Sequence, residues 1–289
     1  MTEPDDAAAS SGFVDLHSHS TASDGTLPPD DVVAAAHKVG IRALALTDHD
    51  TIAGIPLATA TGDAMGMRIV PGVELSAHDG DREIHILALH VTRLPLLESR
   101  LETLRAGRAV RASRIVDLLR VLAMDVTVDM VMKEAGDGSV GRPHIARAMI
   151  RAGSVHDFRE AFDRYLGTGR PAFIPKERLE VRDAIGMAHE AGGLAIWAHP
   201  GSDGRRDRLE PLVQIGLDGV EVRHPSHVME DIKRLGALAD FFGLVPSGGS
   251  DWHGLVQGPR TIGSMQIPWA WLEKQDALVA SRLQPAEQS

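Results

Sequence analysis

The chain has 289 residues, 43% hydrophobic and 24% charged, which allows one large globular domain, or a barrel carrying an insertion, with ample material for a core. Its formal charge is −10, from 40 acidic and 30 basic residues, and this argues against capture of duplex DNA by general attraction. It has no cysteine, which excludes disulfides, thiolate metal sites and a cysteine nucleophile together.

Residues 1–11 (MTEPDDAAASS) are small and acidic and are expected to form a disordered tail. They offer neither the basic start nor the apolar run of a secretory signal, and no segment reaches the roughly 18 apolar residues of a membrane span. A cytoplasmic location without membrane contact is therefore expected. Phe13–His17 reads as a strand, Pro28–Val39 as a helix with proline at its start, Ala43–His49 as a second strand and Ile55–Met65 as a second helix. Arg68–Ser76 and Glu83–Val91 follow as strands three and four. Helical patterns then fill residues 97–176, at Leu97–Leu122, Val128–Ala135, His144–Ala152 and Asp157–Leu166, and this stretch is taken as an insertion domain. Strands at Leu194–His199, Gly219–His224 and Leu244–Ser250 alternate with helices near 183–191, 208–215 and 229–242, and Trp269–Leu283 closes the chain as a helix. Continuous apolar strands alternating with helices indicate a parallel sheet of seven strands, with 12–96 and 177–289 forming its two parts.

The chain has 14 histidines, and many of them fall at strand ends. In an extended strand residues two apart share a face, so His17 and His19 can meet one ion. Strand two ends in Asp48-His49-Asp50, strand three carries Glu74, strand four carries His85, and strand five ends in His199. Strand six ends in His224 and strand seven leads into Asp251-Trp252-His253, while Asp24 stands in the turn after strand one. Any one of these is an ordinary core histidine or loop carboxylate. Imidazole or carboxylate at all seven strands points instead to a metal cluster at the mouth of a barrel, because barrel enzymes carry their chemistry at strand ends. Mixed nitrogen and oxygen ligands suit Mn2+, Fe2+ or Zn2+.

The ordered motifs FVDLHSHSTASDGT, TDHD, PGVELS, EIHILAL, AHPG, EVRHPSH and GGSDWHG resemble those of the PHP (polymerase and histidinol phosphatase) family over residues 13 to about 260. The resemblance implies a distorted seven-stranded (β/α) barrel and three divalent metal ions, Mn2+ foremost. It implies that His17, His19, Glu74 and Asp251 hold the first ion and that Glu74 bridges to a second held with His85 and His199. Asp24, His49 and His253 would hold the third. Three such ions would bring about +6 and the three carboxylates remove about 3, leaving roughly +3 to receive a phosphate inside an acidic protein. Coordination would acidify a shared water for in-line attack on phosphorus, with Glu74 and Asp251 as the central acids.

Gly141-Arg142-Pro143-His144 and the run Ile174-Pro175-Lys176-Glu177-Arg178 could grip a second phosphate, since arginine meets phosphate bidentately and lysine as a point charge. On spacing alone, surface ion pairs serve as well. The GRPH and PKERL motifs are similar to those of family members that remove the 3′-phosphate from nucleoside 3′,5′-bisphosphates such as adenosine 3′,5′-bisphosphate, with relatives acting as 5′→3′ exoribonucleases on short RNA. Arg142, Pro143, His144 and Lys176 are accordingly substrate-binding candidates. His224 is a candidate both for protonating the leaving oxygen or touching phosphate and for steadying a metal ligand. Arg105, Arg108, Arg111 and Arg114 recur every three residues and are expected to form a solvated helix face. The other classes weighed are an amidohydrolase, which would want a bridging lysine, a histidinol-phosphate phosphatase, and a non-catalytic PHP module that binds a nucleotide. Oligomeric state stays open.

Overall fold

The computed structural model describes residues 12–136, 138–175, 178–255, 258 and 260–283, so the expected tail 1–11 and Lys176 lie outside the described residues. In chain order the elements are β1 (Phe13–Asp15), α1 (Pro29–Lys38), β2 (Ile41–Leu46), α2 (Ile55–Met65), β3 (Arg68–Asp79), β4 (Arg82–Leu89), α3 (Leu94–Val121), α4 (Val128–Ala135), α5 (Arg142–Arg151) and α6 (Phe158–Ala161), which runs on into a π-turn at Phe162–Leu166. They continue with α7 (Val181–Glu190), β5 (Leu194–Ala198), α8 (Arg206–Gln214), β6 (Gly219–Arg223), α9 (Met229–Phe242), β7 (Val245–Gly248), β8 (Ile267–Pro268) and α10 (Trp269–Leu283). Local signals account for many of the ends. α1 opens on proline with Asp30 and Asp31 in its first turn and closes with His37 and Lys38, matching the helix dipole at both ends.

The strands form one sheet in the order β7-β6-β5-β4-β3-β2-β1-β8. Two expectations need correction. An eighth strand, β8, pairs antiparallel with β1 and is too short to leave a periodic trace in the sequence. The sheet is also not all parallel, because β4 runs antiparallel to both β3 and β5. The cause is a tight hairpin in which Asp79 pairs with Arg82, leaving only Gly80, with φ +60°, and Asp81 to make the turn. The reversal decides where His85 lies. It sits near the start of β4, and that end lies beside the C-terminal ends of its neighbours, opposite Ser76 and Ala198.

Past Asp15 the chain closes the ring toward β7. The Leu16 N–H donates to Gly248 O (3.1 Å), the Asp251 N–H to His17 O (2.9 Å) and the His19 N–H to Trp252 O (2.9 Å). Only glycine allows this approach at position 249, where a Cβ would lie 2.4 Å from His17 Cβ.

Alternate strand residues such as Val14, Leu16, Ala45, Leu87 and Ile196 fill the barrel interior. Their neighbours, among them Leu44, Leu75, Ile86 and Trp197, pack under the outer helices. Strands buried on both faces read as unbroken apolar runs, which is why they were visible in the sequence. A second hydrophobic cluster forms from α3 to α6. Helix α3 serves both: Leu97 and Leu101 join the barrel core, while Ile115, Val116 and Leu119 join the second cluster. Among the described residues no helix is long and apolar enough to cross a membrane.

At the opposite end of the barrel from the histidines, buried Asp218 accepts bonds from His189 Nε2 and the Ala195 N–H, both at 2.8 Å, and pairs with Arg282 of α10. Burial acts to raise its pKa, but His189, Arg282 and the Ala195 N–H outweigh burial and hold the carboxyl below its usual value. A depressed folded pKa means that the stabilisation is present above the unfolded value of about 3.9 and is lost as pH falls through the lower folded value. Asp218→Asn is expected to lower the free energy of unfolding by about 2 kcal/mol at pH 7. Urea melts at pH 7 and pH 3 check this, since the gap between variant and parent should narrow at the acid end.

Candidate metal centre

The end of β1 presents His17 and His19 on one side, with their Nε2 atoms 3.1 Å apart. Glu74 Oε2 lies 3.2 Å from His17 Nε2 and 3.1 Å from His19 Nε2, and Asp251 Oδ1 lies 3.4 and 3.2 Å from the same two atoms. Donors bound at about 2.1 Å around one ion stand roughly 3.0–3.4 Å from one another, so these four atoms have the spacing of a coordination shell. The other oxygen of Glu74 lies 2.6 Å from His85 Nδ1 and 3.0 Å from His199 Nε2. His49 Nδ1 stands 3.3 Å from Glu74 Oε2, and His253 Nε2 stands 3.3 Å from Asp24 Oδ1.

All nine residues expected as ligands therefore meet at one mouth, with differences in grouping. The compact sets drawn from these nine are His17, His19, Glu74 and Asp251; His49, Glu74 and His85; and His19, Asp24, His49 and His253, and a fourth, His17 with Glu221 and His224, lies behind them. His19, His49 and Glu74 each belong to two of the first three sets, and His199 joins through Glu74 Oε1. Two of the nine hold backbone that L-residues rarely adopt: His199 at φ +32° and Asp251 at φ +48°, with Asp50, which follows His49, at φ +50°. Such conformations persist where surrounding contacts over-determine them, and they gather at functional sites.

The electrostatics are those of a cluster built around positive charge. Burial disfavours a charge on His19, yet Asp251 and Glu74 outweigh it and lift its pKa to about 10. His17 is raised in the same way against burial by Glu74, Glu221 and Asp251. His49 goes the other way, to about 3, because burial dominates. Burial opposes the negative charge of Glu74 and Asp251 as well, and the facing imidazoles hold both carboxyls well below the usual range. Nδ1 of His19 and Nδ1 of His49 are buried without a hydrogen-bond partner. Buried polar atoms are seldom left so, and lone pairs facing Asp24 and Glu74 fit divalent cations with nitrogen and oxygen preferences.

Two cavities flank the cluster and share Asp24, His49, His85, Pro143 and His199. One, of about 440 Å³, is walled by Arg108, Arg111, Arg142, Ser139 and Phe162. The other, of about 610 Å³, is walled by Arg147, Arg260, Phe158 and Leu255. Arg142, a substrate-binding candidate, stands at the wall of the first cavity with its guanidinium over the rings of Phe162 and Phe173. The arginine stripe of α3 needs correction. Arg111 is only 7% exposed, its Nε donates to Ile174 O at 2.7 Å, and burial with Arg142 and Arg108 nearby lowers its pKa to about 10. The Arg108 Nε donates to Asp50 Oδ2 at 2.5 Å and its Nη2 to Ser76 Oγ at 3.3 Å. The three-residue spacing looked like a solvated face because nothing in the sequence shows that α3 lies across the mouth.

His144 and His224 stand away from both cavities. His144 is buried, accepts the Gly141 N–H at Nδ1 (2.9 Å) and so caps α5. Burial, then Arg147, lowers its pKa to about 4, and it lines neither cavity. His224 is buried behind the cluster, with Nε2 3.3 Å from Asp251 Oδ2 and Nδ1 2.7 Å from Ser226 Oγ. That is the place of a residue that steadies a ligand, and it makes no approach to either cavity. Sequence reasoning missed Glu221, which is fully buried 3.2 Å from His17. Strict alternation back from His224 turns residue 221 to the opposite face, but a register shift between Glu221 and Arg223 breaks the alternation and lets both side chains face the cluster.

Known proteins resemble this chain over most of its length. The PHP domain family matches residues 15–109. A 3′,5′-nucleoside bisphosphate phosphatase of Chromobacterium violaceum is 35% identical over 257 residues, covering 86% of this chain and 90% of that protein. A 5′-3′ exoribonuclease of Haemophilus influenzae is 38% identical over 245 residues, 83% of this chain and 89% of that protein. Among solved structures, one assigned as a metal-dependent phosphoesterase from Bifidobacterium adolescentis superposes with a TM-score of 0.84 at 31% identity, covering 92% of this chain and 96% of that one.

Proposed function

This chain belongs to the PHP family of phosphoesterases, and from that premise we propose that it removes the 3′-phosphate from nucleoside 3′,5′-bisphosphates such as adenosine 3′,5′-bisphosphate, and acts on short single-stranded RNA with 5′-phosphate ends. The observation that carries this reading is the junction of two features. A carboxylate hub, Glu74, faces five imidazoles, and an arginine-walled cavity opens on the same residues. A bisphosphate needs one place for the phosphate that leaves and another for the phosphate that stays.

We assign three divalent cations, Mn2+ foremost, to the three sets of ligands named above. When bound, they supply a Lewis acid for a phosphoryl oxygen and an acidified water. The chain's own residues do the rest. Arg111 and Arg142, with Arg108, receive the phosphate that is retained, Pro143 forms the shared wall, and Phe162 gives the guanidinium of Arg142 a flat support. Residues 97–176 are assigned as an insertion domain whose task is to bring these arginines over the barrel mouth. The amidohydrolase alternative wants a bridging lysine, but Glu74 holds that place and no lysine among the described residues lines either cavity.

A panel assay tests the proposal, using adenosine 3′,5′-bisphosphate, 5′-phosphorylated oligoribonucleotides and histidinol phosphate, each with Mn2+ and with Zn2+. Release of phosphate from the bisphosphate at a kcat/KM well above that for histidinol phosphate is the expected result. The reverse order would leave the chemistry standing and overturn the substrate.

A further inference from the structure

Glu221 touches two of the candidate ligands at once, and by different means. Its Oε1 lies 3.2 Å from His17 Nδ1, and its Oε2 accepts the backbone N–H of His199 at 2.7 Å. Its side chain is fully buried, and so is that of His17. His17 turns its other nitrogen, Nε2, toward His19, Glu74 and Asp251. A neutral imidazole carries one N–H and one lone pair, and the partner of one nitrogen decides which is which. A carboxylate at Nδ1 draws the proton there and leaves the lone pair on Nε2, facing the other donors. His199 is in a second position of need: its φ of +32° is unfavourable for a residue with a Cβ, and the bond from its own N–H is one of the contacts that pin it.

We propose that Glu221 is a positioning residue, which fixes the tautomer of His17 and the backbone of His199 and thereby holds two of the proposed metal-binding groups in register. The inference rests on the metal-binding reading above. It assigns Glu221 no contact with substrate, and it gives the register shift that follows Glu221 in β6 a functional consequence, since Glu221 and His224, three residues apart, both face the cluster.

The test measures metal binding directly. Metal-free protein, Glu221→Gln and Glu221→Asp are titrated with Mn2+ and with Co2+ against a competing chelator, and the visible spectrum of bound Co2+ is recorded. Glutamine keeps the shape but cannot accept from both the imidazole N–H and the His199 N–H with equal strength. The tightest equivalent should weaken about 10–100-fold in E221Q and less in E221D, with an altered Co2+ spectrum and full stoichiometry restored at saturating metal. Circular dichroism of the metal-free proteins provides the folding control, and E221D carries the test if E221Q does not fold. Parental affinity and an unchanged Co2+ spectrum in a folded E221Q would overturn the inference. So would permanent loss of one equivalent at saturating metal, which would make Glu221 a ligand. Absence of metal binding by the parent protein would instead sink the metal-centre reading itself.

Discussion

Glu74→Gln is expected to lower kcat on the best substrate by about 1,000-fold or more, some 4 kcal/mol of transition-state stabilisation, and to strip the protein of much of its metal. Glu74 is buried, and its two oxygens stand within 3.3 Å of His17, His19, His49, His85 and His199. Glutamine has the same outline but loses the negative charge at the centre and replaces one oxygen donor by an N–H2 that has no lone pair to offer a cation. Oε1 and Oε2 both face imidazoles, so either orientation of the amide removes one oxygen donor from the cluster. Metal content by mass spectrometry, measured alongside kcat, separates this effect from a simple loss of folding. A variant that holds full metal and keeps kcat within tenfold would show that Glu74 is not the hub.

The second large effect concerns binding. Arg142→Ala is expected to raise KM for adenosine 3′,5′-bisphosphate about 10–100-fold, which corresponds to the roughly 1.5–3 kcal/mol of a charge-assisted contact, with a small change in kcat. Arg142 lines the first cavity and leans on Phe162 and Phe173, so it is pre-organised before a phosphate arrives. A substrate with a single phosphate has nothing to place there, and its kinetic constants should be close to those of the parent. If the variant loses kcat equally on 4-nitrophenyl phosphate, Arg142 acts on the reaction and the second-anion role is wrong.

Most of the candidate ligands were legible because they are polar residues at the ends of apolar runs, and such runs are conspicuous when strands are buried on both sides. Geometry that breaks the simple period was not. The reversal of β4 depends on a two-residue turn, and Asp79-Gly80 was the available sign. Glu221 is hidden by a one-residue shift in β6. His144 is polar and lies in a GRPH motif, but it serves its own helix as a cap. Arg108 and Arg111 differ from exposed arginines only in what α3 lies against, and side-chain type does not encode that. For Glu221, Arg108 and Arg111 the missing information was non-local contact.

Helix α3 has a mechanical consequence. Its 28 residues make a rod about 42 Å long, anchored at one end in the barrel and at the other in the second hydrophobic cluster. Arg105 and Arg108, near its middle, bond to Asp50, the residue after His49. One continuous element is thus fastened to the barrel core, to the helical side and to the loop that carries His49, and so braces all three together.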